Sequence, residues 1–290
     1  MDVYRGYSQE ELNRQYDASA TVPAVEPYFE RYLAASEAAR SVLRSELSLF
    51  YGTGERETLD LFAAPVQGAP LFAFIHGGYW RRLSKDYFSY VALPIVRAGG
   101  ACAVLNYSLA PQVTLDEIVR QQREALRWLR INAVLANASP LHIYVGGHSA
   151  GGQLAGLLAG TDWEAQGLEP GFIRGVFGIS GLYDLEPVRR SHVNAWMHLD
   201  ESAAERNSPI KWLPRLTTSL VAAVGGAESD EFKRQTRRYA QTWSEAGMPA
   251  RVLELPGLNH FSAIFELANA ESPLTRALLE LMQLDAKRAR

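Results

Sequence analysis

One serine stands among small residues in the stretch Gly146-Gly147-His148-Ser149-Ala150-Gly151-Gly152. Residues 141–147 before it read as an apolar strand, and the Ala/Leu/Gly-rich run after it reads as a helix. Glycine loses the most conformational freedom on ordering, so its repeated use here implies a turn too tight for side chains. Gly147, Ser149 and Gly151 fit G-x-S-x-G, a sharp strand-to-helix turn that lifts a serine hydroxyl above a sheet. Such a turn strains the backbone at the serine and presses the positions two before and two after it against neighbouring main chain. The helix that follows aims its first N–H groups at the place where negative charge would develop. The chemistry this pattern suits is nucleophilic attack by the Ser149 oxygen.

A serine hydroxyl is a weak nucleophile until a base takes its proton. The chain has 6 histidines. His76 precedes the "GGYW" loop, His142 lies in a strand run, and His148, inside the tight turn, is expected to point aside. His192 and His198 fall in a stretch without strand signals, whereas His260 follows the last strand run. In the order serine, acid, histidine, that last position delivers the base. The acid should follow the run 219–226, where "GGAESDEF" offers Glu228, Asp230 and Glu231. A carboxylate there would fix the imidazole tautomer and stabilise the imidazolium. Composition does not choose between Glu228 and Asp230. Asp184, in "SGLYDL", reads better as a turn or helix cap. The attacked carbonyl also needs donors. "FIHGGYW" ends a strand in a glycine loop, so the backbone N–H groups of Gly78 and Tyr79, with that of Ala150, could converge on one oxyanion. Donors of this kind contribute about 2.7–4 kcal/mol each to the transition state.

These residues must be held by a scaffold. Apolar runs recur at 47–52, 57–64, 71–77, 101–107, 141–147, 172–180, 219–226 and 250–257. The middle ones are almost continuously apolar, as strands covered on both faces are. Helical periodicity fills 26–45, 116–136, 232–246 and 275–286, with Ile118, Val119, Ala125, Leu126, Leu129 and Val134 as the stripe of the second. Alternating strands and helices predict a mostly parallel sheet with helices on both faces. The first two strands should form an antiparallel hairpin at its edge. Residues 182–216 break the rhythm with Trp, His, Pro and charge. They are expected to cover the sheet as a lid, joined by residues 1–45, so that 1–290 is a single α/β domain.

The rest of the chain narrows the function. Its 290 residues carry a net charge of -3, which implies no general attraction to nucleic acid. The single cysteine, Cys102, excludes an internal disulfide and reads as a small core side chain. The first residues have no basic, apolar leader, and no apolar run of about eighteen residues suggests a membrane span. A cytoplasmic protein is expected. Histidines without ligand spacing argue against a catalytic metal, and the "GG" doublets at 99 and 225 lack the context of a nucleotide loop, so no cofactor is expected. An edge strand could pair two subunits. Aromatic residues near the expected loops, Tyr28, Tyr79, Trp80, Tyr183, Trp196 and Phe261, would suit an aryl substrate.

With these pieces assembled, the chain resembles the α/β-hydrolase superfamily. "HGGYW" resembles the "HGGG"-type loop of esterases related to hormone-sensitive lipase, and Tyr79 in place of the third glycine resembles the kynurenine formamidases (arylformamidases) more closely. "SGLYDLEPV", "HVNAWMHLD", "NSPI", "ESDEFKRQT" and "LNHF" agree, and the resemblance spans roughly 42–281. In that family the acid stands four residues before the Phe of S-P-E-F-x-R-Q, which falls on Glu228, with Asp230 at the Pro position. The broader lipase-like pattern A-E-x-D would select Asp230. The longer match through the helix favours Glu228. The resemblance implies an α/β-hydrolase fold with a mostly parallel eight-stranded sheet and a small lid. It also implies a serine hydrolase working through an acyl-enzyme on a small amide or ester, foremost an aryl formamide such as N-formylkynurenine. A short-chain carboxylesterase is the alternative. A ligand-binding member without turnover is a third reading, against which the full set of reactive groups argues.

Overall fold

The computed structural model describes residues 2–285. The apolar runs form β1 (Ser45–Phe50), β2 (Thr58–Phe62), β3 (Ala69–Ile75), β4 (Ala101–Leu105), β5 (Ala138–His148), β6 (Ile173–Ile179), β7 (Ser219–Gly225) and β8 (Ala250–Leu255). They make one 8-stranded sheet in the order β1-β2-β4-β3-β5-β6-β7-β8. β1 and β2 are the antiparallel edge hairpin, β2 also pairs antiparallel with β4, and the remaining pairs are parallel. Side chains alternate between faces along a strand, so one strand feeds two cores. Leu71, Ala73 and Ile75 of β3 enter one core with Val145 and Leu126. Phe72 and Phe74 enter the other with Val104, Phe177 and Leu278. Cys102 sits in this second core, where burial pushes its thiol pKa up.

Helix ends follow capping chemistry more closely than apolar periodicity. The helix Leu115–Asn132 begins at Thr114, whose hydroxyl accepts the Glu117 N–H. It stops short of the expected end, passing into the tighter turn Ala133–Ala136, which closes on left-handed Asn137. That change of pitch turns Val134 out of the apolar stripe, leaving it 59% exposed. The helix expected over 26–45 is Glu26–Val42, because the chain becomes extended at Leu43 to enter β1. Asp230–Glu245 starts two residues early. Pro273–Leu281 also starts early, with Ser272 capping it and Pro273 at its first position, and it closes at Met282, short of the expected Ala286, which lies outside the described residues.

β4 and β5 leave β3 in opposite directions, so the strand order reverses there and opens a crevice at the carboxyl ends of β3 and β5. Residues 182–216 contain the short helices Glu186–Arg190, Asn194–Met197 and Glu201–Arg206 and no strand. The N-terminal segment is fastened to them: Gln9 Nε2 donates to the Arg190 carbonyl at 2.8 Å and Asn13 Oδ1 accepts the His192 N–H at 2.8 Å. It is also fastened to the helix after β7, through Tyr16 Oη to Glu231 Oε2 at 2.7 Å and Ser229 Oγ to the Gln15 carbonyl at 2.6 Å. No helix among the described residues is long and apolar enough to cross a membrane.

Candidate active site

β5 ends at His148 and a helix begins at Ala150, so Ser149 carries the whole change of direction. Its backbone is left-handed, φ 56° and ψ -119°, and its N–H is tied to the Ile179 carbonyl at 2.8 Å. A Cβ on Gly151 would come within 2.0 Å of the Ile75 carbonyl oxygen, and one on Gly147 within 2.4 Å of the Gly151 carbonyl. The glycines on either side are therefore required by main chain, as the spacing implied. Ser149 is nearly buried and opens onto a cavity of about 230 Å³ that His260 also lines.

His260 is the first residue of the helix His260–Phe265, where the Asn259 side chain accepts the N–H groups of Phe261 and Ser262. Its Nδ1 lies 2.6 Å from Glu228 Oε2. The other Glu228 oxygen accepts the Gly225 N–H at 2.7 Å and the Ser180 hydroxyl at 2.5 Å. A carboxylate this deeply buried is held only with such partners. With Nδ1 committed to Glu228, Nε2 is the ring nitrogen left outside that bond. Asp230 is not brought here: its side chain is 77% exposed and pairs with Lys233 at 3.1 Å. Glu231 binds Arg234 at 2.7 Å, and Asp184 accepts the Glu186 N–H at 3.2 Å as a turn cap.

His148 does not point aside. Its Nε2 lies 3.0 Å from the His260 carbonyl oxygen and must donate to it, and its ring is 4.4 Å from the His260 ring. Burial first, and the neighbouring imidazole second, hold its pKa well below the usual range, so it stays neutral.

After β3 the loop curls through left-handed backbone at Gly78, Tyr79 and Trp80. Gly78 is irreplaceable, since a Cβ there would lie 2.2 Å from the Arg82 carbonyl oxygen. Among the described residues the Gly78 and Tyr79 N–H groups have no acceptor, and that of Ala150, at a helix start, has none within its helix. His76 packs beneath the loop and does not line the cavity. It is fully buried, stacks 4.2 Å from Tyr107, and sits 2.8 Å from the Gly77 carbonyl and 3.2 Å from Asn106 Oδ1.

Of the expected aromatic walls, Tyr79, Trp196 and Phe261 line the cavity, and Trp80 and Tyr183 do not. The left-handed turn at Trp80 sends its indole into the core, where its N–H donates to Gln153 Oε1 at 3.0 Å. Tyr183 is buried against Tyr239, with ring centroids 4.0 Å apart, and its hydroxyl occupies the space left by Gly178 and Gly181. Tyr28 stands behind Phe261, accepting from Asn259 Nδ2 at 2.9 Å. Residue type did not reveal that Tyr16, Asp17, Arg81, Arg82 and His192 share the lining. Ser180 had only one signal, its position at the carboxyl end of a strand neighbouring the reactive turn.

A sheet of this order with a serine on a left-handed turn after its central strand defines an α/β hydrolase. The family model described as the alpha/beta hydrolase fold matches residues 72–264, and the chain belongs to that family. Within it the chain is similar to the kynurenine formamidase of Danio rerio, 31% identical over 97% of this chain and 99% of the relative. Esterase LipQ of Mycobacterium tuberculosis is 30% identical over 75% of this chain and 56% of its own length. A crystal structure from Silicibacter sp. TM1040, provisionally named a thioesterase, superposes with a TM-score of 0.81 at 32% identity, covering 92% of this chain and 98% of that one.

Proposed function

We propose that this hydrolase works through a serine acyl-enzyme and that its substrate is an aryl formamide such as N-formylkynurenine. The observation that carries the reading is the 2.6 Å bond between Glu228 and His260 Nδ1 on the wall of the cavity that Ser149 enters. In this reading His260 Nε2 takes the Ser149 proton and Oγ attacks the formyl carbon. The N–H groups of Gly78, Tyr79 and Ala150 hold the oxyanion. Collapse breaks the C–N bond as His260 returns the proton to the leaving nitrogen. Water, activated by the same imidazole, then attacks the formyl-serine and releases formate. Backbone donors supply the charge stabilisation, so the route needs no metal ion. A cavity of about 230 Å³ walled by Tyr79, Trp196 and Phe261 suits a small acyl group on an aromatic amine. Residues 182–216 and the N-terminal segment act as the lid of one cytoplasmic α/β domain.

A short-chain carboxylesterase is the second reading, favoured by the likeness to LipQ and to the thioesterase-named structure. Comparing kcat/KM for N-formylkynurenine with that for p-nitrophenyl acetate decides: a large preference for the ester removes the formamidase assignment. Labelling with a fluorophosphonate, located by mass spectrometry, tests the nucleophile. No adduct on Ser149 in folded protein would favour a binding protein without turnover.

A further inference from the structure

The cavity beside Ser149 carries charge that amide cleavage does not use. Arg81 and Arg82 follow the glycine loop directly and both line the cavity. Among the described residues neither has a carboxylate within ion-pair distance, unlike Arg120, Arg189, Arg206, Arg234 and Arg237. Asp17, on the same lining, is not within that distance of either; it accepts the Ser19 N–H at 3.1 Å. Arg81 is nonetheless held in place. Its guanidinium carbon lies 3.9 Å above the Trp196 ring, and Trp196 is itself fixed by its indole N–H to the Tyr79 carbonyl at 3.2 Å. Stacking occupies the flat face of a guanidinium and leaves its N–H edge for a ligand. Partial burial, and then repulsion from Arg82, lower the Arg81 pKa, the direction expected of two cations that lack an anion between them.

We propose that Arg81, with Arg82 beside it, binds a carboxylate on the leaving group of the substrate, so that the enzyme selects aromatic acids over aryl amides or esters that lack the carboxylate. A guanidinium fork matches a carboxylate in geometry as well as charge. The inference rests on the hydrolase reading above only in that the bound molecule is a substrate, and it holds for a formamide or an ester alike.

The test uses two pairs, each differing by one carboxylate: N-formylkynurenine with N-formylkynuramine, and 3-(3-acetoxyphenyl)propanoate with 3-propylphenyl acetate. The intact enzyme should prefer the carboxylate member about tenfold or more in kcat/KM, as a charge-assisted hydrogen bond warrants. Arg81→Gln should lower kcat/KM at least about tenfold more for the acid than for the partner that lacks the carboxylate, mostly through KM. Equal losses on both members, or no preference in the intact enzyme, overturn the proposal. Acid preference on the esters without formamide turnover would sink the formamidase reading alone. Formamide turnover without acid preference would sink the carboxylate site alone. Calorimetry in a Ser149→Ala background gives a readout free of turnover: 3-(3-hydroxyphenyl)propanoate should bind about tenfold tighter than 3-propylphenol, and Arg81→Gln should erase the difference. Equal affinities would again overturn it.

Discussion

Glu228 reaches His260 through one carboxylate oxygen, Oε2, at 2.6 Å, while the other is held by Gly225 N–H at 2.7 Å and Ser180 Oγ at 2.5 Å. These contacts come from the ends of β6 and β7 and from the turn that Glu228 itself occupies, so the carboxylate has little freedom to leave the imidazole. Two residues on, Asp230 faces solvent.

Replacing each acid separately should therefore give opposite results. Glu228→Gln removes the charge and misorients the imidazole, and kcat should fall by about 10³–10⁴, the scale for losing the acid of a serine triad. Asp230→Asn changes an exposed ion pair and should leave kcat within about twofold. Steady-state kinetics on folded variants checks this; loss confined to the Asp230 variant would overturn the assignment.

Gly151 has no room to grow. Gly151→Ala puts a methyl 2.0 Å from the Ile75 carbonyl oxygen, so β3 or the reactive turn must move. Overpacking of this kind costs about 1–3 kcal/mol or more, and thermal unfolding should show it together with a fall in kcat. A variant with unchanged melting temperature and full activity would contradict the packing described here.

The two tryptophans near the cavity should separate by phenotype. Trp80→Ala empties a fully buried site and should cost about 3–5 kcal/mol in urea unfolding. Trp196→Ala removes a cavity wall and should raise KM about three- to tenfold, the worth of one aromatic contact. A stability loss at Trp196 as large as that at Trp80 would show that both are core residues.

Acid should destabilise the fold through its buried histidines. Burial, the largest influence, lowers the His76 pKa to about 4, against about 6.5 when unfolded. Between those values the unfolded chain binds a proton that the folded one refuses, so stability falls as pH drops from about 6.5 to about 4 and then levels for this group. The gap corresponds to at most about 3 kcal/mol. His148, also held neutral, acts in the same direction. Urea midpoints at pH 7 and pH 4.5 should lie closer together in His76→Gln than in the parent protein; an unchanged gap would remove His76 as the cause.

What could be read from residue order was what local sterics dictate. Gly147 and Gly151 announced the turn because main chain touches main chain there. The continuous apolar runs of β3 to β7 announced a sheet covered on both faces. Glu228 could be preferred only through a longer pattern reaching into the next helix, since side-chain type did not distinguish it from Asp230. The errors share a cause. Trp80 and Tyr183 are aromatic and near loops, but a left-handed turn and a pair of glycines direct them into the core. Ser180 meets Glu228 across 48 positions of sequence, and Tyr16 meets Glu231 across 215, separations at which no local pattern exists.

The groups assigned to bond breaking stand on strand ends and the turns that leave them, whereas much of the rim around them is borrowed from the first thirty-two residues and from the 182–216 excursion. Changes in this peripheral chain can therefore reshape what the cavity admits while the strand ends that carry Ser149 and Glu228 stay as they are. A family built this way can diversify its diet while keeping one set of teeth.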